Sequence, residues 1–202
     1  AAFRLYETFG FPLEFTIEMA AEKGFTVDVE GFNKAFEEHK ELAKAQKGVF
    51  KGGLSGNGEM ETKYHTATHL LLGALRHFYG ENVFQKGSNN TAERLRFDFN
   101  LDHKMEKHEI EQVENYVNAI IKEGVDVVRE EMSLEDARKS GAIGIFDSKY
   151  GDVVSIYTIG SYDKEFCGGP HVKNTSELGH FKIIKEESSS AGIRRIKAIL
   201  EN

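Results

Sequence analysis

The 202-residue chain contains no tryptophan, one cysteine and two prolines. A single cysteine cannot form an internal disulfide, which excludes the disulfide-stapled scaffolds of small secreted proteins. The sequence has no run of about 18 apolar residues and no N-terminal signal-peptide pattern, so we expect no membrane partner. These absences predict a cytoplasmic protein, and the start at Ala1 rather than at a methionine predicts a piece of a longer chain.

The net charge of −7 argues against a basic, nucleic-acid-binding surface that covers the whole chain. The acidic excess lies in residues 1–63 and 101–150. Residues 64–100 carry a net charge of +1, and residues 151–202 a net charge of 0. These two segments can therefore face an anionic partner without net repulsion.

The first part of the chain predicts an αα-hairpin followed by a linker. Residues 12–47 carry apolar side chains at helical spacing, interrupted by Lys23-Gly24, which is typical of a helix end, and by Asp28, which is typical of a helix start. Residues 48–63 contain five glycines and predict a domain boundary. The expected organisation is a helical hairpin domain over residues 1–47, a linker over 48–63 and a second domain over 64–202.

The second domain predicts an α+β fold with a mixed, largely antiparallel sheet. Leu95, Phe97 and Phe99 alternate with Arg96 and Asp98, which is the pattern of a strand with one buried face. The predicted helices cover 64–79 and 105–122, and the predicted strands cover 82–88, 93–99, 125–130, 152–159, 179–186 and 193–200.

Two pairs of potential metal ligands occur at a spacing of four residues. His65 and His69 lie in the predicted helix 64–79, so both imidazoles share one helix face. Cys167 and His171 flank a Gly-Gly-Pro turn that folds a thiolate and an imidazole toward one point. Together they form a Cys–His₃ set that suits tetrahedral Zn²⁺. The residues alone also allow an accidental histidine pair on a helix surface, a closed structural zinc, or a metal-free polar pocket.

Two further segments contain side chains suited to a polar ligand. In Gln85-Lys-Gly-Ser88, glutamine and serine are orienting donors and Lys86 is a candidate phosphate contact, although such segments are more often strand ends and turns. Arg96 and Asp98, on the polar face of the predicted strand, either line a pocket or pair on a solvated face.

A cationic cluster follows the last predicted turn, at Arg194, Arg195 and Lys197. These side chains are candidates for phosphate contacts with RNA. In a strand, Arg194 lies on one face while Arg195 and Lys197 lie on the other. Only part of the cluster can therefore meet a single phosphate track.

Six segments of the chain resemble the alanyl-tRNA synthetase family, over essentially the whole length. They are Leu5-Tyr-Glu-Thr-Phe-Gly-Phe-Pro-Leu13, His65-Thr-Ala-Thr-His-Leu-Leu71, Gln85-Lys-Gly-Ser88, Arg94-Leu-Arg-Phe-Asp-Phe99, Cys167-Gly-Gly-Pro-His171 and Ala191-Gly-Ile-Arg-Arg-Ile196. The set is also similar to free-standing alanyl-tRNA editing proteins and, more distantly, to the editing domain of threonyl-tRNA synthetase. The first segment is typical of the synthetase itself. The resemblance therefore favours a fragment of the synthetase that contains the end of the helical part of the catalytic region, followed by the editing domain.

The resemblance implies that this region hydrolyses tRNA(Ala) mischarged with serine or glycine. Because the sequence has no Ser-His-Asp pattern typical of a nucleophilic triad, we expect direct attack of water on the aminoacyl ester. The resemblance also implies a zinc ion in the editing centre, with His65, His69, Cys167 and His171 as its ligands. It makes Gln85 a pocket residue that bears on editing, with Thr66 and Asp98 as further candidates. Because alanine is smaller than serine, exclusion by size cannot protect the correct product, whereas a polar partner for the serine hydroxyl can. Gln85 and Thr66 are the candidates for that partner.

The partners implied are the acceptor end of tRNA(Ala) and the remainder of the synthetase. The candidate tRNA contacts are Lys86, Arg194, Arg195 and Lys197. ATP and alanine belong to the catalytic core that would precede residue 1, so we expect no aminoacylation by this chain alone. The alternative function is a zinc-stabilised tRNA-binding module without catalysis.

The chain departs from the family pattern in the linker and in the second metal motif. Many members carry a β-barrel between the helical hairpin and the metal helix, where this chain has only residues 48–63. The usual threonine of the Cys-Gly-Gly-Thr-His motif is Pro170, which lacks both the hydroxyl and a backbone N–H. Any role of that threonine should therefore be lost.

Overall fold

The computed structural model describes residues 2–9, 13–45, 54, 56, 58–144 and 152–201. The chain divides into two compact units, Ala1–Val49 and Phe50–Asn202, and this division falls inside the glycine-rich segment 48–63. Over the described ranges, no helix has the length and apolar character needed to cross a membrane.

The described part of the first unit consists of α1 (Ala2–Phe9), α2 (Leu13–Glu22) and α3 (Val29–Ala45). The predicted helix end is confirmed, because Gly24 adopts a left-handed φ of 75° just after α2. The predicted helix start is confirmed as well, because Asp28 Oδ1 accepts a 2.8 Å hydrogen bond from the Gly31 amide.

Helix α1 adds a third helix that the predicted hairpin did not include. Its Phe3 and Tyr6 rings make edge contacts with Phe32 of α3, at centroid distances of 5.8 and 5.7 Å. Phe32 is buried. Aromatic packing against α3 therefore accounts for this additional helix.

The described part of the second unit forms two antiparallel sheets with helices packed against them. One sheet has the order β1-β2-β7-β6 and the other the order β3-β4-β5. The elements are α4 (Glu59–Tyr79), β1 (Gln85–Asn90), β2 (Leu95–Asn100), α5 (Lys107–Glu123), β3 (Val127–Ser133), α6 (Leu134–Lys139), β4 (Val153–Ile159), β5 (Asp163–Phe166), a 3₁₀ helix (Thr175–Leu178), β6 (His180–Ser190) and β7 (Ile193–Glu201). The predicted α+β class with largely antiparallel pairing is confirmed, and the strands divide between two sheets.

Helices α4 and α5 bury their apolar faces on the four-stranded sheet. The strand alternation holds, because Leu95, Phe97 and Phe99 are fully buried. The residues that pack with them are Leu70, Leu71, Ala74 and Leu75 of α4, Val113, Val117 and Ile120 of α5, and Ile196 and Ala198 of β7. Burial of each large apolar side chain contributes roughly 1.5–3 kcal/mol, so this core holds α4 firmly against the sheet.

Helix α4 ends where the sequence predicts but begins five residues earlier. Gly80 follows its last turn, as expected, with a φ of 93°. The first turn starts after Gly58 and carries Glu59 and Glu61, whose charges favour a helix N-terminus. Residues 59–63, predicted as linker, are therefore helical.

Strand β5 was not predicted, because its sequence Asp-Lys-Glu-Phe is polar and short. It pairs with β4, and its Asp163 and Glu165 side chains are buried. The reason for burying two carboxylates lies in their contact with α4.

Candidate metal centre

Helix α4 presents His65 and His69 on the face that approaches strand β5. The same stripe continues to Gly73, where an added Cβ would lie 2.6 Å from the Tyr162 carbonyl oxygen. The glycine therefore allows the helix to approach the second sheet closely. Because the opposite face of α4 belongs to the core, both imidazoles are held in the space between the helix and this sheet.

The Cys167–His171 turn follows β5 and brings the second pair of ligands to the same point. Cys167 Sγ lies 3.4 Å from Nε2 of His65 and 3.4 Å from Nε2 of His171. The four candidate ligand atoms, including that of His69, all lie within 4.8 Å of one another. The structure thus brings together two motifs that are about 100 residues apart in the sequence, as the metal hypothesis requires.

The Nδ1 atom of each histidine is held by a different acceptor. His65 Nδ1 donates to the Pro170 carbonyl at 3.0 Å, and His69 Nδ1 donates to Asp163 Oδ2 at 2.8 Å. His171 Nδ1 lies 3.0 Å from the Thr66 hydroxyl. With a metal bound, each ring would keep its proton on Nδ1 and offer the lone pair of Nε2 to the ion.

Three of the four ligand candidates are almost inaccessible to solvent. His65, His69 and Cys167 are 2%, 4% and 5% exposed, whereas His171 is half-buried. His171 also borders a cavity of about 650 Å³, whose wall includes Lys63 of α4. Among the four candidates, His171 is therefore the one through which the centre reaches a cavity.

The electrostatics favour a thiolate surrounded by imidazoles. Burial opposes ionisation of Cys167, but hydrogen bonds from His171, His65 and His69 outweigh it and hold the pKa of the thiol at about 2. Burial, together with the positive charge of His69, lowers the pKa of His171 to about 3. The site therefore offers an anionic sulfur and a neutral imidazole, the protonation states that metal ligation needs.

His69 carries the positive charge of the metal-free site. Burial lowers its pKa, but the charge of Glu165 and the hydrogen bond to Asp163 outweigh burial and raise that pKa well above the ordinary value. Burial and the charge of Asp163 raise the pKa of Glu165. A metal ion bound at Nε2 would balance the same carboxylates in place of the proton.

The donor set fits zinc. With Zn–S and Zn–N bonds of about 2.3 and 2.05 Å, a tetrahedral site has a sulfur-to-nitrogen edge of ~3.5 Å. The two 3.4 Å distances between Cys167 Sγ and imidazole Nε2 atoms agree with that edge. The residues that would hold the ion are those predicted from the sequence, namely His65, His69, Cys167 and His171.

Asp163 and Glu165 are the functional candidates that the sequence prediction missed. They approach His69 Nδ1 at 2.8 and 3.3 Å, and both side chains are almost fully buried. A usable signal was present, because residues 163, 165 and 167 alternate along a strand and so share one face with Cys167. Asp163 and Glu165 therefore orient the His69 ring through its Nδ1 atom, as a carboxylate does in many zinc sites.

We expect Asp163→Asn to weaken zinc binding by roughly tenfold or more, because an amide can still accept from His69 Nδ1 but carries no charge. Competition with a chromophoric chelator measures this affinity. Asp102→Asn is the matched control, since the Asp102 side chain is 95% exposed and pairs with His103 instead. Equal zinc affinity in the two variants would contradict the orienting role of Asp163.

Thr66 and Pro170 both support the imidazoles. The Thr66 hydroxyl donates to the Thr62 carbonyl at 3.3 Å and accepts from the Val172 amide at 3.2 Å, which leaves its second lone pair for His171. Thr66 is fully buried, so this geometry favours a positioning role over the predicted contact with a serine hydroxyl. Pro170 keeps the carbonyl that His65 needs, although the usual threonine hydroxyl is absent.

Gln85 and Lys86 lie at the start of β1. The Gln85 amide donates to Ser88 Oγ at 3.2 Å, and Lys86 Nζ lies 5.9 Å from the centre of the Phe84 ring. The strand register shifts between Gln85 and Gly87, which marks a bulge at Lys86. Over the described part of the chain, no contact joins Gln85 to the four ligand candidates, so its pocket role stays a prediction.

Asp98 and the cationic cluster form ion pairs on the four-stranded sheet. Arg195 donates to both oxygens of Asp98, at 2.7 and 2.8 Å, across the β2–β7 register. Arg194 pairs with Glu186, and Lys197 Nζ lies 2.9 Å from Glu187 Oε1. The bidentate pairing does not favour a catalytic role for Asp98. The tRNA contacts predicted for Arg194, Arg195 and Lys197 stay predictions, and each cation already has a carboxylate partner.

Two family models match the chain, and each matched range contains one pair of the candidate metal ligands. Residues 1–132 match the class II (A) tRNA synthetases, and residues 154–197 match the second additional domain of threonyl and alanyl tRNA synthetases. The first match contains His65 and His69, and the second contains Cys167 and His171.

Curated relatives match the chain from end to end. An alanine–tRNA ligase of Treponema denticola is 54% identical over the whole chain, and that of Borrelia hermsii is 55% identical over 98% of it. The chain spans about a third of the length of these relatives, at 34% of each.

A third relative gives an alignment longer than this chain. Alanine–tRNA ligase 1 of Lachnoclostridium phytofermentans is 33% identical over 314 aligned positions and 36% of its own length. Because this chain has 202 residues, more than a hundred positions of that alignment have no counterpart in it. This agrees with the expected loss of an internal segment. All three relatives are alanine–tRNA ligases, and both family models agree with them: the chain belongs to the alanyl-tRNA synthetase family.

Proposed function

We propose that this chain is the editing part of an alanyl-tRNA synthetase and hydrolyses the ester of mischarged Ser-tRNA(Ala), and also Gly-tRNA(Ala), in the cytoplasm. The observation that carries the proposal is the convergence of His65, His69, Cys167 and His171 at one partly open point. Family membership supplies the class of substrate, an aminoacyl ester on tRNA.

The residues of the centre each have a definable task. When the metal is bound, Cys167 would contribute the anionic ligand and the three imidazoles would contribute nitrogen ligands. Thr66 and Asp163 fix ring orientation, which preserves the geometry while substrate binds. When bound, zinc would supply polarisation of the ester carbonyl and acidification of water.

Water, rather than a side chain, is the proposed nucleophile. Cys167 is the one thiol in the sequence, and it is 5% exposed and shared by two imidazoles. A sulfur in that position is suited to ligation and poorly placed for attack. The half-buried His171 side, next to the cavity, is where we place the ester.

Selectivity requires a group that meets the serine hydroxyl and loses that partner when alanine is present. Gln85 remains the proposed partner, since its amide offers both a donor and an acceptor. Recognition of the tRNA(Ala) acceptor end and joint action with the remainder of the synthetase complete the proposal. ATP, alanine activation and aminoacylation are assigned to that remainder.

We expect this chain, loaded with zinc, to hydrolyse Ser-tRNA(Ala) much faster than Ala-tRNA(Ala). Release of labelled amino acid from each purified aminoacyl-tRNA, with Gly-tRNA(Ala) as a third substrate, measures the rates. The same reactions after chelator treatment and zinc readdition test the metal.

Two outcomes count against the proposed hydrolase. Equal rates for serine and alanine would remove the editing function. Tight tRNA binding without hydrolysis of any ester would favour the alternative, a zinc-stabilised tRNA-binding module, in which the four-ligand centre is structural.

A further inference from the structure

A second cleft continues the metal-ligand face of α4. It has a volume of about 570 Å³ and is lined by Arg76, His77, Tyr116, Tyr162 and Lys164, with glycines at its edges. Asp163 also lines it, so the cleft adjoins the metal centre behind His69. At a helical rise of 1.5 Å per residue, Arg76 lies roughly 10 Å along α4 from His69.

The cleft wall carries flat aromatic surfaces. The His77 ring stacks on Tyr116 at a centroid distance of 4.4 Å, and Tyr162 meets Tyr116 edge-on at 6.1 Å. The Tyr162 hydroxyl donates to Glu123, which fixes the ring at the cleft edge. Such surfaces suit the faces of unpaired bases.

An exposed aromatic platform lies beside the cleft and shares Arg76 with it. Phe84 is 44% exposed, an unusual degree for a phenylalanine. Its ring centre lies 5.6 Å from the Arg76 guanidinium carbon and 5.9 Å from Lys86 Nζ. Both cations therefore lie close to the phosphates that would flank a base stacked on Phe84.

The charges on this surface favour an anion. Arg76 donates to the Glu81 carbonyl and Lys164 to the Ser140 carbonyl, and in the described ranges neither cation, nor Lys86, has a carboxylate within 4 Å. The carboxylates lining the cleft are Glu81 and Asp163, and Asp163 is bound to His69. By contrast, Arg194, Arg195 and Lys197 are each paired with a carboxylate.

We propose that the Phe84 platform and the adjoining cleft form a binding site for single-stranded RNA. Bases stack on Phe84 and on the His77–Tyr116 pair, while Arg76, Lys86 and Lys164 contact phosphates. This deepens the proposed function, on which it rests for the identity of the RNA as the unpaired end of the tRNA.

The test is fluorescence anisotropy of a labelled single-stranded RNA of mixed sequence, titrated with the full chain at several salt concentrations. Phe84→Ala and Phe84→Leu should both weaken binding roughly tenfold, because leucine keeps apolar volume but not the ring. Lys86→Ala should make the log–log salt slope shallower by about 0.7, the value for one phosphate contact on a single strand. Matched controls are Val153→Ala, an exposed apolar residue, and Lys182→Ala, an exposed lysine paired with Glu201.

Unchanged binding in both Phe84 variants, equal losses in the controls, or no binding by the unaltered chain would overturn the proposal. Hydrolysis of Ser-tRNA(Ala) by the same samples separates this result from the proposed function. Hydrolysis with Phe84-independent RNA binding leaves the editing function intact and removes the RNA site. RNA binding that depends on Phe84, without hydrolysis of Ser-tRNA(Ala), would support the RNA site and count against the editing function.

Discussion

Replacing Cys167 by alanine is expected to abolish zinc binding and ester hydrolysis together. The thiolate is the one anionic group among the four candidate ligands, and the Nε2 atoms of His65 and His171 both contact it at 3.4 Å. Because four-ligand zinc sites bind with ~10–16 kcal/mol in total, the loss of one ligand should weaken binding at least about a hundredfold. Zinc per protein after dialysis, measured by atomic emission, reads out the effect.

His180→Ala serves as the control for this substitution, since His180 is an exposed histidine at the start of β6. It should retain full zinc content and full activity. The Cys167 variant should keep its secondary structure, because the core around α4 is separate from the thiol. One zinc per chain in Cys167→Ala would refute the ligand assignment, and loss of zinc with normal hydrolysis would show that the metal is dispensable for catalysis.

Gly169→Ala is expected to damage the centre without removing any ligand. A Cβ at this position would lie 2.8 Å from His65 Nδ1, the atom that donates to the Pro170 carbonyl, and 3.3 Å from Leu54 Cδ1. The imidazole must therefore move, and the orienting hydrogen bond breaks. We expect a loss of tenfold to about a hundredfold in zinc affinity, as for other disruptions of ligand orientation. Unfolding should also require about 1–3 kcal/mol less, because the site is overpacked.

Gly87→Ala provides the comparison, because a Cβ there would meet Asp98 at an ordinary 3.6 Å. Zinc competition and thermal unfolding, with and without metal, should leave this variant close to the unaltered chain. If Gly169→Ala matched Gly87→Ala in both measurements, close packing of the turn on His65 would not matter for the centre.

The sequence predicted local features best where one segment alone determines them. The alternation in Leu95–Phe99 identified a strand and its buried face, and the two four-residue spacings identified all four ligand candidates. Helix α1 was missed because its stabilising contacts lie with α3, and β5 was missed because its composition is polar.

The supporting contacts of the site could not be predicted from local pattern. Asp163 reaches His69 across 94 residues, and Thr66 reaches His171 across 105, so neither pairing follows from spacing. The β2–β7 register places Arg195 opposite Asp98 and so gives Asp98 its ion pair. This pairing cannot be read from the sequence of β2 alone. The candidate RNA-binding cations of β7 therefore have carboxylate partners on the neighbouring strands β2 and β6.

The Pro170 carbonyl defines what the second metal motif requires. Since the acceptor for His65 is a main-chain oxygen, every amino acid supplies it, and a side chain at this position is not needed to orient the ring. The close approach of the turn to His65 instead restricts position 169 to glycine. A search for distant relatives should accordingly use Cys-Gly-Gly-x-His with an open fourth position. Family members with proline there should keep their metal as firmly as those with threonine.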